Sequence, residues 1–139
     1  MTNLATDLPF TVDVPIRYRD LDTFSHVNNA VYVTYLESAR AAYLEAVAEL
    51  AVEDYGFVVA NLEITYERSI TMGQDVVVAT GTTELGTSSW TMNYEIYADG
   101  TRAAAAETTL VCVDAETRSS APMPDSLRQR IVEYEGLEG

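Results

Sequence analysis

The chain has 139 residues, 47% of them hydrophobic. That is enough for one compact domain burying roughly two-thirds of its unfolded surface, and too apolar for a disordered polymer. Twenty-two acidic residues face eight basic ones, giving a formal charge of −14, and such a chain repels nucleic acid and anionic lipid.

All eight bases are Arg and Lys is absent. This acidic, Ala/Val/Thr-rich composition resembles that of proteins from salt-in halophiles, where molar salt shrinks the Debye length to about 3 Å. No apolar run approaches the roughly 20 residues of a membrane span. The start, "MTNLATDLPF", lacks a basic region followed by an apolar stretch, so a cytoplasmic location is expected. Cys112, alone in the chain, cannot form an internal disulfide and reads as a small buried hydrophobe. With one His and one Cys, an ordinary zinc site is not expected.

In chain order, "FTVDVPIRY" (10–18) alternates, with Phe10, Val12, Val14, Ile16 and Tyr18 on one face of a half-buried strand. A polar loop, "RDLDTFSHVNN", follows. A helix is then predicted from about Asn29 to Leu50, a rod of about 30 Å, with Asn28 or Asn29 suited to the N-cap. Two adjoining stripes, Val31/Tyr35/Ala39/Ala42/Ala46 and Tyr32/Leu36/Tyr43/Val47/Leu50, make a broad apolar face. After Gly56 the pattern turns to β: "FVVANLEITYERSI" (57–70), "DVVVATGTTEL" (75–85), "SSWTMNYEIYA" (88–98) and "RAAAAETTLVCVD" (102–114). The last two are joined by "DGT", a hairpin signal. "PMPDSLRQRIVEY" reads as a short terminal helix capped by Asp125. The order predicts an α+β fold, with one five-stranded antiparallel sheet, its last four strands in meander style, curled around one long helix.

The loop before the helix carries the chemistry-bearing residues. A helix N-terminus offers unpaired amides and about half a positive charge, so the N–H groups of Val27 and Asn28 are candidate donors to a developing oxyanion. Asp20 suits an Asx turn. No "G-x-S-x-G" elbow exists, so a serine nucleophile at Ser25 is not expected.

"YRDLDTFSHVNNAVYVTYLESAR" resembles the signature of hotdog-fold acyl-CoA thioesterases of the 4-hydroxybenzoyl-CoA thioesterase and YbgC-like group. It is also similar to the "D-L-D-x-N-x-H-V-N-N" motif of plant acyl-ACP thioesterases. "YERSITMGQDVVVAT" and "VDAETRSSAPMPDSLRQRI" are similar to the family's second half, so the likeness runs from about Phe10 to Ile131. The resemblance implies one hotdog domain over residues 1–139 that hydrolyses an acyl or aryl thioester. It implies no metal and no cofactor beyond the CoA of the substrate. The partners it implies are an acyl-CoA and further copies of the chain, as a homodimer or a dimer of dimers (a homotetramer), with no nucleic acid and no membrane.

Carried over by position, Asp22 matches the family's catalytic carboxylate, as nucleophile or as general base, and His26 matches the histidine of the acyl-ACP enzymes. The Asn that precedes that histidine by two residues is replaced by Phe24. The arrangement resting chiefly on Asp22 is therefore implied. In the bacterial CoA enzymes a Gly usually stands where Ser25 is. Asn29 is expected as a loop anchor or substrate contact, and Tyr32 and Tyr35 as core residues or lining of the acyl tunnel. Glu37 is expected in an interface or polar network. Arg68, Arg102 and Arg118 are candidates for bidentate pairing with CoA phosphates. Two alternatives stay beside hydrolysis. An enoyl-thioester hydratase would place Asp and His five apart around Asn-Pro, whereas Asp22 and His26 are four apart without Pro. A non-catalytic acyl-thioester-binding module is the other.

Overall fold

The computed structural model describes residues 4, 6–50 and 56–137. Five strands form one antiparallel sheet: β1 (Phe10–Val14), β2 (Phe57–Tyr66), β3 (Val76–Leu85), β4 (Ser89–Ala98) and β5 (Thr101–Cys112). One long helix, α1 (Asn29–Ala48), lies against it, and a short helix, α2 (Asp125–Glu135), follows the last strand. This is the expected hotdog layout. Among the described residues no helix is long and apolar enough to cross a membrane.

The strand order is β1-β3-β4-β5-β2, which corrects the expected run of four neighbouring strands. Only β3, β4 and β5 form a meander. β2 crosses the sheet to pair with β5, from Phe57 opposite Cys112 to Tyr66 opposite Ala104. Its outer edge is therefore open, and Val58, Val59, Leu62 and Tyr66 are 37–44% exposed. Hairpin chemistry predicts the neighbours of short connections; nothing local in "FVVANLEITY" names the partner of β2.

β1 stops at Val14 because Pro15 has no N–H to donate to the ladder. The chain then enters a 3-10 turn at Tyr18–Asp20. Alternation no longer sets the face there, and Tyr18, expected inside, is 84% exposed.

α1 starts where the sequence places it, with the Asn28 side chain accepting from the Ala30 N–H at 2.8 Å and satisfying one of the first-turn donors. Tyr32, Tyr35, Leu36, Ala39, Tyr43, Leu44 and Val47 form its buried face, spaced three and four apart as one side of a helix requires. They pack on Val78, Met92, Tyr94, Ile96, Ala104 and Leu110 of the sheet. Arg40 is buried in the same face, 7% exposed. At α2 the N-cap is Pro124, with no side-chain cap, and Asp125 is the first helical residue. The expected Asp125 cap is corrected by one position; its charge still sits in the first turn, where the helix dipole favours it.

α2 is fastened to the sheet by one carboxylate. The register of β3 slips between Thr82 and Glu84, and the Thr82 N–H donates to Glu135 Oε2 at 2.7 Å. The Tyr43 hydroxyl donates to the same oxygen at 2.7 Å. Burial, and then the bond to Glu135, push the Tyr43 phenol up, so it stays a donor. Gly81 makes room for this: a Cβ there would lie 2.7 Å from Pro9 Cδ and 3.2 Å from Glu135 Oε2. Removing the acceptor strands the sheltered Thr82 N–H, while the Tyr43 hydroxyl keeps Thr82 Oγ1 at 3.0 Å; a buried donor left unpaired costs about 1–3 kcal/mol. Glu135→Ala is therefore expected to lower unfolding free energy by that amount in urea titration, and Glu135→Gln, which keeps an acceptor oxygen, by less than half as much.

Candidate active site

The loop from Asp20 to Asn28 is stitched to its surroundings by backbone bonds. The Asn28 N–H donates to the Asp20 carbonyl at 2.9 Å, and the Val27 N–H donates to the Ile70 carbonyl at 2.8 Å. Three short segments around residues 20–22, 26–28 and 70–71 thus lie side by side, with bridges Leu21–Val27 and His26–Thr71. The expectation that the Val27 and Asn28 amides stand unpaired is corrected: loop backbone takes both. Ala30 is held by the Asn28 side chain, and Val31 by the Asn28 carbonyl. Of these first amides, only that of Asn29 has no acceptor among the described residues.

Residues 22–26 form a tight hairpin. The Asp22 N–H donates to the His26 carbonyl at 2.7 Å, and the Ser25 N–H donates to the Asp22 carbonyl at 3.0 Å. The turn closes through Ser25 in the left-handed region, φ +63°, the conformation a three-residue hairpin loop needs at its last position. Asp22 Oδ1 accepts from the Phe24 N–H at 2.8 Å and from the His26 N–H at 3.2 Å. The Asx turn therefore belongs to Asp22, not Asp20. One carboxylate oxygen is pinned by two amides, and Oδ2 has no hydrogen bond among the described residues.

Asp20 anchors the assembly from below. It is buried, and its Oδ2 accepts from the Arg17 N–H and from the Tyr35 hydroxyl, both at 2.8 Å. Burial, followed by that bond to Asp20, raises the Tyr35 phenol, which keeps its proton and donates.

A cleft of about 310 Å³ opens beside this loop, lined by Asp22, His26, Val27, Asn29, Tyr32, Tyr66, Glu67, Arg68 and Ser69. Asp22, His26, Asn29, Tyr32 and Arg68, named from the sequence, are thus brought together. Tyr32 is buried; its hydroxyl donates to the Arg68 carbonyl at 3.0 Å, and its ring meets Tyr66 edge-on at 5.0 Å. The Tyr66 hydroxyl donates to the Asn29 carbonyl at 2.8 Å, tying the end of β2 to the start of α1. Tyr66, Glu67 and Ser69 were not singled out from the sequence. The available signal was their place in "TYERS", the segment that must return past the loop.

The three candidate phosphate arginines separate. Arg68 lines the cleft mouth. Arg102 is committed to Glu67, with Nε–Oε1 at 2.8 Å, and to Glu95 at 3.2 Å. That pairing holds the Glu67 carboxyl below its usual range, so a fixed negative charge lines the cleft. Arg118, in a turn after β5 at φ +62°, lies beyond the Phe57–Cys112 end of the β2–β5 ladder, opposite the Tyr66–Ala104 end that borders the cleft. Its expected place in the site is corrected for this protomer.

With this geometry in view, known proteins are informative. A family described as the thioesterase-like superfamily matches residues 16–131. The chain belongs to that superfamily. Among its relatives, the long-chain acyl-CoA thioesterase FadM of Escherichia coli (strain K12) is 28% identical over 123 residues, covering 85% of this chain and 93% of FadM. The 1,4-dihydroxy-2-naphthoyl-CoA hydrolase of Nostoc punctiforme is 23% identical over 127 residues, covering 88% of this chain and 86% of that one. A thioesterase of Thermus thermophilus, solved with coenzyme A and Zn, superposes with a TM-score of 0.87 at 39% identity. That match covers 95% of this chain and 98% of the Thermus one.

The left-handed backbone at Ser25 costs a non-glycine residue about 1–2 kcal/mol, part of which glycine returns as unfolded-chain entropy. Ser25→Gly is expected to raise stability by up to about 1 kcal/mol, read as a higher thermal midpoint in calorimetry. A lowered midpoint would show that the Ser25 side chain stabilises the loop.

Proposed function

We propose that the protein hydrolyses acyl-CoA thioesters to a free acid and CoA. The observation that carries this is that Asp22 and Asn29, the first residue of α1, line one cleft in a member of the thioesterase-like superfamily. Thioester hydrolysis needs an oxygen nucleophile at the carbonyl carbon and positive potential at the carbonyl oxygen. The Asn29 N–H, at the positive end of a 20-residue helix, supplies the second. Asp22 Oδ2 supplies the first, either attacking to give a mixed anhydride or taking a proton from the attacking water. Both routes add one water across the C–S bond and release acid and thiol. Thiolate leaves readily, so no strong general acid is required, and His26 serves as an orienting donor at the cleft wall. Neither route calls for a metal or a bound cofactor. Arg68 is the cationic group offered to the CoA phosphates, in a setting we take to be cytoplasmic and salt-rich given the charge of −14.

The working unit in this reading is a homodimer, with room for a dimer of dimers. The open edge of β2 and its exposed Val58, Val59, Leu62 and Tyr66 support it, because unpaired strand edges carrying apolar side chains are usually covered.

Asn at position 22 can still accept from the Phe24 and His26 amides, so Asp22→Asn keeps the loop and removes the nucleophile or base. It is expected to lower kcat by at least about 10² on a thiol-release assay with unchanged circular dichroism. His26→Ala is expected to cost less; a deeper loss than for Asp22→Asn would reverse the two roles. Leu62→Glu is expected to convert a dimer into a monomer in light scattering. A wild-type chain that is monomeric at assay concentration would remove the dimer from the mechanism.

A further inference from the structure

A second hollow, of about 140 Å³, is lined by Val33, Leu36, Glu37 and Arg40 of α1, Val59 and Leu62 of β2, and Thr108. The two hollows use successive stretches of the same two elements. On α1 the lining passes from Asn29 and Tyr32 to Val33, Leu36 and Arg40; on β2 it passes from Tyr66 to Leu62 and Val59. The walls are apolar. The far end is not.

Arg40 is only 7% exposed there, a burial that charged side chains seldom adopt without full pairing. Its Nη1 donates to the Tyr94 hydroxyl at 3.2 Å, and its Nη2 forms an ion pair with Glu37 Oε2 at 3.7 Å, too long for a hydrogen bond. Glu37 itself is well exposed, its side chain at 62%. Tyr94 and Thr108 share a bond of 2.8 Å, so Tyr94 brings little spare accepting capacity. A guanidinium carries five N–H donors, and beyond the Tyr94 bond and the Glu37 ion pair this one has donors left for a group in the second hollow.

We propose that the two hollows join into one channel that holds the acyl group of the substrate, and that Arg40 selects acyl groups bearing an oxygen acceptor, a hydroxyl, keto or carboxylate group, at their distal end. The inference rests on the thioesterase reading of the cleft. A side chain on α1 leans toward the helix N-terminus, which sets the guanidinium level with Glu37, about 12 Å from Asn29 along the axis. An acyl chain of about ten carbons spans that distance. A plain hydrocarbon of the same length strips water from the guanidinium and offers nothing in return, whereas a terminal oxygen satisfies it.

The test compares decanoyl-CoA, its terminally hydroxylated counterpart and the CoA monothioester of decanedioic acid, by thiol release, in the wild-type protein and in Arg40→Leu and Arg40→Lys. Wild type is expected to favour the oxygenated substrates in kcat/KM by about tenfold or more. Arg40→Leu should bring that ratio to about one or below, and Arg40→Lys should fall between. Equal kcat/KM for all three substrates in wild type overturns the inference and leaves the thioesterase reading standing. So does a preference that survives Arg40→Leu. The wild-type comparison decides even where a variant fails to fold. Absence of turnover on every acyl-CoA would bring down the thioesterase reading and this inference together.

Discussion

The bond from the Asn28 N–H to the Asp20 carbonyl, 2.9 Å long, is the contact on which the site's geometry depends. It closes the loop that carries Asp22 onto the residue that caps α1. The helix axis and the Asp22 carboxylate are thereby set relative to one another by backbone, not by the choice of rotamers. Asp20 reinforces the closure from below through Tyr35, a residue rooted in the core. Loops that position reacting groups work best when a rigid scaffold fixes both ends. Here the scaffold is the one helix the sheet was built to cover.

Positive charge follows a similar logic. In a chain of net charge −14 with eight arginines, several cations are engaged in internal contacts. Arg102 joins Glu67 and Glu95, Arg130 pairs with Glu49, Arg128 donates to the Gly86 carbonyl, and Arg40 is buried beside Tyr94. Arg68, at the cleft, has no ion pair among the described residues. Positive potential at the cleft wall is thus offered by the amino end of α1 and by the Arg68 guanidinium. Both act over short range, so they are felt in the cleft even where salt screens the surface field.

Much of this was legible in the sequence because it is local. Asn28 as a cap, the start of α1, the stop of β1 at a proline and the alternation in β3 to β5 follow from side-chain chemistry within a few residues. The gathering of Asp22, His26, Asn29 and Tyr32 follows from their spacing around the helix start. What was not legible depends on partners distant in the chain. The amides of Val27 and Asn28 are consumed by carbonyls that no local rule identifies. β2 pairs with β5 because a crossover carries it there, and Arg118 is remote from the cleft because the β2–β5 ladder is long. Arg40 sits at a position of apolar spacing, so the periodicity that marked its neighbours passed over it.

The open edge of β2 has a consequence beyond the site. Among the described residues no strand pairs with the outer side of β2, and an exposed edge of extended backbone is a template for another extended chain. Whatever sheathes that edge does so by mass action. Where a second copy is what covers it, as proposed, the melting behaviour of this small domain becomes a property of how concentrated it is as well as of how it is folded.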